Sequence, residues 1–224
     1  MNRQAPSRID SPVNSPQAYD SECRRCGRLA EFLQAVRAEH RDYFCKPVPA
    51  FGDAAASILI VGLAPGKHGA NRSGRPFTGD YAGVLLYETL HAFGLASASV
   101  SRATDDGLTL FRTRITNAVK CLPPDNKPLP IEIKTCNVFL REELARSADV
   151  RVILALGLIA HGAVLRALGL APARFRFTHG GEHRLDERRV LVDSYHCSRY
   201  NTQTKRLTTA MFEAVVGRAV ELAR

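Results

Sequence analysis

SILIVGLAPGKHGANRSGRPFTGD, residues 57–80, opens with an apolar, β-branched run and then turns into glycine, proline and charge. Ile58, Leu59, Ile60 and Val61 are apolar without alternation, which suits a strand buried on both faces, the setting of a parallel sheet. The strand is expected over 57–63. A Gly-rich loop follows, and Thr78 or Asp80 can cap a helix over 81–93. Gly66–Lys67 has a superficial likeness to a phosphate-binding P-loop. That motif needs four residues between its glycines and Ser or Thr after Lys; here three separate Gly62 from Gly66, and His68 follows Lys67. The P-loop reading fails, yet backbone N–H groups in a tight loop beside a helix start still suit an anion or a water. Phe77 is the one aromatic ring in this polar loop. It either stacks on a base, a contact worth roughly 1–3 kcal/mol, or tucks back into the core.

The same alternation extends outward. Strands are expected over 114–119 and 152–156, with helices over 130–148 and 158–168. Residues 175–193 contain a hairpin that closes with the strand RVLVDS, and 204–223 read as a terminal helix. Upstream, Leu29, Phe32, Leu33 and Val36 mark one face of a helix over 24–40. Strands alternating with helices predict an α/β protein, a mostly parallel sheet covered on both faces. Ligands in such folds sit at the carboxyl ends of the strands. The loops leaving those ends are 62–80, 117–124 and 194–204.

The chain has 224 residues, 45% of them hydrophobic, enough for one substantial core. Residues 1–20 are polar and rich in Ser and Pro, and read as a disordered leader before a single domain over 21–224. They lack the apolar core of a secretory signal, and no run of eighteen apolar residues exists, so a cytosolic protein off the membrane is expected. No interface signal stands out, and a monomer is expected. Lys and Arg outnumber Asp and Glu by 31 to 22, a formal charge of +9. That excess suits a polyanion, because each neutralised phosphate releases counterions.

Cys23 and Cys26 form a C-x2-C pair, and Cys121 and Cys136 follow far downstream. A reducing compartment disfavours disulfides. Four thiolates with one such pair can hold zinc or a [4Fe–4S] cluster, although zinc ribbons usually carry two pairs. Cys45 and Cys197 have no partner at ligand spacing and read as free thiols.

GLAPG (62–66), GRPFTGD (74–80), NAVKC (117–121) and YHCSRYNTQT (195–204), in this order and with these cysteines, resemble the uracil-DNA glycosylase superfamily. The likeness is greatest to its family 5, or type b, enzymes, and it runs from Cys23 to the terminal helix. The resemblance implies a three-layer α/β/α fold with a central four-stranded, mostly parallel sheet. It also implies a structural [4Fe–4S] cluster on Cys23, Cys26, Cys121 and Cys136, and DNA carrying uracil or other deaminated bases as partner.

Hydrolysing a base–sugar bond leaves an oxocarbenium-like sugar and an anionic base. The reaction therefore needs a donor on the base oxygen, a carboxylate or dipole near the sugar, and a held water. The base must first leave the stack. By resemblance, His196 is the donor, Asn117 reads the base edge and Phe77 stacks on it, with Gly62, Leu63, Ala64, Pro65 and Gly66 completing the pocket. An amide offers both donor and acceptor, as an imide edge requires. Better-known members of the superfamily carry Asp, Asn or Glu in the first motif, whereas Leu63, Ala64 and Pro65 cannot activate water. That departure is itself a feature of type b enzymes. Attention moves to Asp80, which either orients the water and steadies the cationic sugar or only caps its helix. Ser198, Arg199 and Tyr200 match the loop that contacts or wedges into DNA. Lys67, His68, Asn71, Arg72 and Arg75 are expected to add phosphate contacts. Two further readings stand beside this one. The unfunctionalised first motif suggests a pocket open to hypoxanthine and xanthine, and a non-catalytic nucleic-acid-binding protein with a metal knot is the alternative from another class.

Overall fold

The computed structural model describes residues 19–224. The expected leader lies outside the described residues except for Tyr19 and Asp20, and both are held in place. The Tyr19 hydroxyl donates to the Pro47 carbonyl at 2.9 Å, and the Asp20 carbonyl accepts from Cys23 N–H.

The apolar run folds as β2 (Ile58–Gly62), with every residue buried. It pairs in parallel with β3 (Thr113–Asn117) on one side and β4 (Val152–Leu156) on the other. β4 pairs in parallel with β6 (Val190–Ser194). These are the four expected parallel strands. Two short antiparallel strands extend the edges: β1 (Phe51–Gly52) on β3 and β5 (Glu182–Arg184) on β6. The order is β1-β3-β2-β4-β6-β5, six strands where four were expected. β5 is the first arm of the hairpin expected within 175–193, whereas β1, at two residues, is too short to carry a period-2 pattern.

Side chains alternate between the faces. Ile58, Ile60, Ile115, Leu154 and Val192 enter a core under α3 (Tyr81–Ala92) and α7 (Thr209–Leu222). Leu59, Val61, Ile153, Ala155 and Leu191 enter another under α4 (Pro130–Arg146) and α5 (Leu158–Ala167). A third cluster joins α1 (Gly27–Glu39), the residues after β3 and the first half of α4, and it contains or borders Cys23, Cys26, Cys121 and Cys136. The terminal helix, expected over 204–223, is α7 and starts only at Thr209, while a separate short helix, α6 (Arg199–Gln203), lies in the loop expected over 194–204. Lys205, at φ +57°, keeps the two apart, and the Thr208 hydroxyl starts α7 by accepting from Met211 N–H. One further turn, α2 (Ala70–Ser73), lies inside the Gly-rich loop.

Candidate active site

The parallel register sets Gly62, at the end of β2, opposite Asn117, at the end of β3. Asn117 is 3% exposed, and its Oδ1 is buried without a hydrogen-bond partner. Leaving a buried acceptor unmet costs about 1–3 kcal/mol, so the amide is waiting for a partner. A Cβ on Gly62 would lie 2.4 Å from that oxygen and 2.6 Å from Phe77 Cζ. Glycine is what lets the amide and the ring share this corner.

Phe77 tucks back into the core and still faces the site. It belongs to the α3/α7 core, and its ring centroid stands 6.0 Å from that of His196 at an interplanar angle of 29°. Its φ of +54° is strained for a side chain of this size. Gly83 holds the turn, since a Cβ there would strike the Phe77 carbonyl at 1.9 Å. His196 follows β6, and its carbonyl accepts from Asn201 Nδ2 at 2.8 Å. Behind it is Gly157, whose Cβ would come 3.5 Å from that of His196. Part of the residue reaches solvent, but protein surrounds the ring and burial pushes its pKa down to about 4. The imidazole is neutral at neutral pH.

Asp80 is the N-cap of α3, accepting from Gly83 N–H at 2.9 Å. Its other oxygen lies over the glycine turn. A Cβ on Gly69 would sit 2.3 Å from Asp80 Oδ2, and one on Gly66 3.6 Å away. Burial raises the carboxyl pKa, while the N–H groups of Gly83 and Ala82 pull the other way. Cys197, fully buried beside the site, feels that charge: burial first, then Asp80, pushes its thiol up. Gly69 and Gly83 were not among the expected site residues. Their signal was their spacing around Asp80, visible only once the loop is folded.

The rest of the first motif forms the floor. Ala118 N–H donates to the Gly62 carbonyl and Val119 N–H to that of Leu63, carrying the β2–β3 pairing past the strand ends. Ala64 packs toward the cysteine-side core, Pro65 is buried, and the Gly66 carbonyl accepts from Gly69 and Asn71 N–H.

Two expected phosphate contacts are corrected. Arg75 is 3% exposed. Its guanidinium donates to Thr78 Oγ1 at 2.9 Å, Ser101 Oγ at 2.7 Å and Asp106 Oδ2 at 2.6 Å, and it covers the Phe51 ring at 4.8 Å. It braces the loop from within. Asn71 is wholly buried, its Nδ2 donating to Cys45 Sγ at 3.4 Å. The others stay at the surface. Lys67 pairs with Glu39 at 2.9 Å, His68 meets the Tyr43 hydroxyl at 2.8 Å, and Arg72 is exposed. Ser198 caps α6, accepting from Asn201 N–H. Arg199 lies over the Tyr81 ring at 5.3 Å, and Tyr200 is 70% exposed. Arg72, Arg199 and Arg102 flank an open groove that reaches Asp80 and passes Val84 and Val100. Arg102 lay outside every motif, so no sequence signal singled it out.

Cys23, Cys26, Cys121 and Cys136 line one narrow cleft walled by Leu29 and Phe139. Burial and then the charge of its neighbours push Cys26 up to about 11 and raise Cys121 further. Lys120 N–H points at Cys136 Sγ at 3.2 Å. Four thiols gathered in one apolar cleft are a donor set that a [4Fe–4S] cluster takes. No helix among the described residues is long and apolar enough to cross a membrane.

The family model for the uracil DNA glycosylase superfamily matches residues 49–219. A type-5 uracil-DNA glycosylase of Thermus thermophilus is 47% identical over 206 residues, 90% of this chain and 94% of that protein. One from Pyrobaculum aerophilum is 41% identical over 201 residues, 88% of this chain and 87% of that protein. One from Mycobacterium leprae is 41% identical over 214 residues, 92% of this chain and 93% of that protein.

Proposed function

This chain belongs to the uracil DNA glycosylase superfamily, and we propose that it repairs DNA by hydrolysing the bond between uracil and its sugar, leaving an abasic site. The observation that carries the reading is the buried, unpartnered Asn117 Oδ1 between Gly62 and Phe77. An amide in that state suits the imide edge of an extruded base stacked on Phe77.

In the mechanism, His196 donates to a base oxygen as negative charge develops there. Because the imidazole is neutral, it stabilises the leaving base by a hydrogen bond and keeps its proton. Asp80, ionised, faces the sugar side, steadies the oxocarbenium-like carbon and orients water held at the Gly66–Gly69 turn. Arg72, Arg199 and Arg102 hold phosphates along the groove, and Tyr200 fills the gap left by the base. A [4Fe–4S] cluster held by Cys23, Cys26, Cys121 and Cys136 would brace the fold and take no part in the hydrolysis.

The test is base release from an end-labelled duplex with a uracil opposite guanine, read as strand cleavage after hot alkali. Wild type cleaves, and His196→Ala cleaves far more slowly. Tight DNA binding without cleavage would leave the chain a binding module. The absence of a polar side chain at Leu63, Ala64 and Pro65 favours a second, wider reading that adds hypoxanthine and xanthine. The same assay on duplexes carrying those bases decides it.

A further inference from the structure

On the α4/α5 face of the sheet, away from Phe77, three side chains from three elements converge without a role in the reaction above. Asp193 of β6 is wholly buried. His161 of α5 is 2% exposed and brings Nδ1 to 2.8 Å from Asp193 Oδ1. His183 of β5 brings Nε2 to 3.1 Å from Asp193 Oδ2. One ligand atom from each lies within 4.8 Å of the others.

We propose that His161 Nδ1, His183 Nε2 and the Asp193 carboxylate form a site for a divalent transition-metal ion of the zinc class. Two imidazoles and a carboxylate are a recurring donor set for such ions. His161 is also oriented as a metal-bound imidazole is: its other nitrogen, Nε2, donates to the Phe175 carbonyl at 3.0 Å, leaving Nδ1 to face the site. Phe175 packs edge-on against His183 and Phe177 edge-on against His161, which limits water. The His183 side, at 16% side-chain exposure, gives an ion its way in.

Without an ion, the same contacts need a proton in its place. Both partners of His161, a carboxylate and a peptide carbonyl, only accept, so the ring must carry two N–H groups. Burial pulls its pKa down, but the bond to Asp193 outweighs that and raises it. Ion binding is therefore an exchange. The metal takes the Nδ1 lone pair of His161 and the Nε2 lone pair of His183: the Nδ1 proton of His161 leaves to solvent, and the proton that His183 Nε2 donates to Asp193 without an ion moves to Nδ1 of the same ring. The ion would tie α5 and the β5–β6 hairpin to the strand that leads, two residues on, into His196. This inference does not rest on the glycosylase reading.

As-purified protein is dialysed against micromolar zinc, and zinc and iron are counted together by mass spectrometry, so that zinc entering the cysteines would register as lost iron. The expected result is about one zinc per chain with iron unchanged. His183→Ala and Asp193→Asn should each weaken uptake by about tenfold or more, and Cys45→Ser should not. No uptake by wild type, or uptake that survives both substitutions, overturns the site and leaves a buried ion pair. If Asp193→Asn fails to fold, His183→Ala, on a short and partly exposed edge strand, carries the test alone.

Discussion

The Asp80 carboxylate caps α3 through one oxygen and lies over the Gly66–Gly69 turn with the other, so substitution can separate the two roles. Asparagine caps as well as aspartate, whereas alanine gives up about 1 kcal/mol. Asp80→Asn should therefore keep the melting temperature or raise it, because an ionised carboxylate whose pKa burial has raised is a cost to the folded state at neutral pH. Single-turnover base release should nonetheless fall by about a hundredfold or more, and wild-type turnover in Asp80→Asn would reduce Asp80 to a cap. Wild-type activity should also fall with pH at a point above the ordinary aspartate value. His196 titrates in the opposite sense. Its folded pKa is about 4 against about 6.5 unfolded, so between those values the unfolded chain binds a proton that the folded chain refuses. Stability is thus lost as pH drops from about 6.5 to about 4, by about 3 kcal/mol in all. Urea denaturation at both ends of that window should show wild type losing more than His196→Asn. Equal losses would mean that the folded ring is charged.

At the scale of elements, the loop between β2 and α3 shows what sequence discloses and what it withholds. The strand, the loop and the helix start were legible because an unbroken apolar run ending in Gly and Pro has few other uses, and an aspartate before a helix is a strong cap signal. The fates of Arg72 and Arg75 were not legible. Three residues apart in the same basic stretch, one is exposed and the other sealed, and what separates them is Ser101 and Asp106, about thirty residues away. The break between α6 and α7 was hidden for a similar reason, since it depends on Lys205 entering the left-handed region. The arginines now predict opposite behaviour. Arg75→Ala takes from exposed Asp106 the cation that, with three backbone N–H groups, holds it well below the usual carboxylate range, leaves Thr78 and Ser101 without their buried donor, and should cost about 1–3 kcal/mol without changing how DNA affinity depends on salt. Arg72→Ala and Arg199→Ala should leave stability alone and each flatten the slope of log Kd against log salt by about one. A flattened slope for Arg75→Ala would put its side chain back on the DNA.

Across the whole molecule, the four cysteines join parts that are distant in sequence. Cys23 and Cys26 precede α1, Cys121 follows β3, and Cys136 lies in α4. Their meeting was legible from type and resemblance, not from spacing, because no local pattern says that residue 23 returns to residue 121. His161, His183 and Asp193 went unread for the same reason: each looks ordinary in its own element. The cysteine cluster also lies close to the chemistry, since Cys121 is four residues from Asn117 and the stretch between them pairs with the floor of the site. Without a cluster, buried thiols whose pKa values burial has raised stay protonated, and the amino-terminal segment keeps only the apolar contacts of α1 and scattered polar ties such as Arg28–Glu132 and Val48 N–H to the Lys120 carbonyl. Cys121→Ser should therefore lose iron and its brown colour, and limited proteolysis should cut first within residues 19–48. DNA affinity and base release should fall together, because Asn117 is no longer held from behind. Iron-free protein that resists protease and releases uracil at the wild-type rate would show that the apolar packing of α1 against α4 suffices, and that the cluster braces nothing the reaction needs.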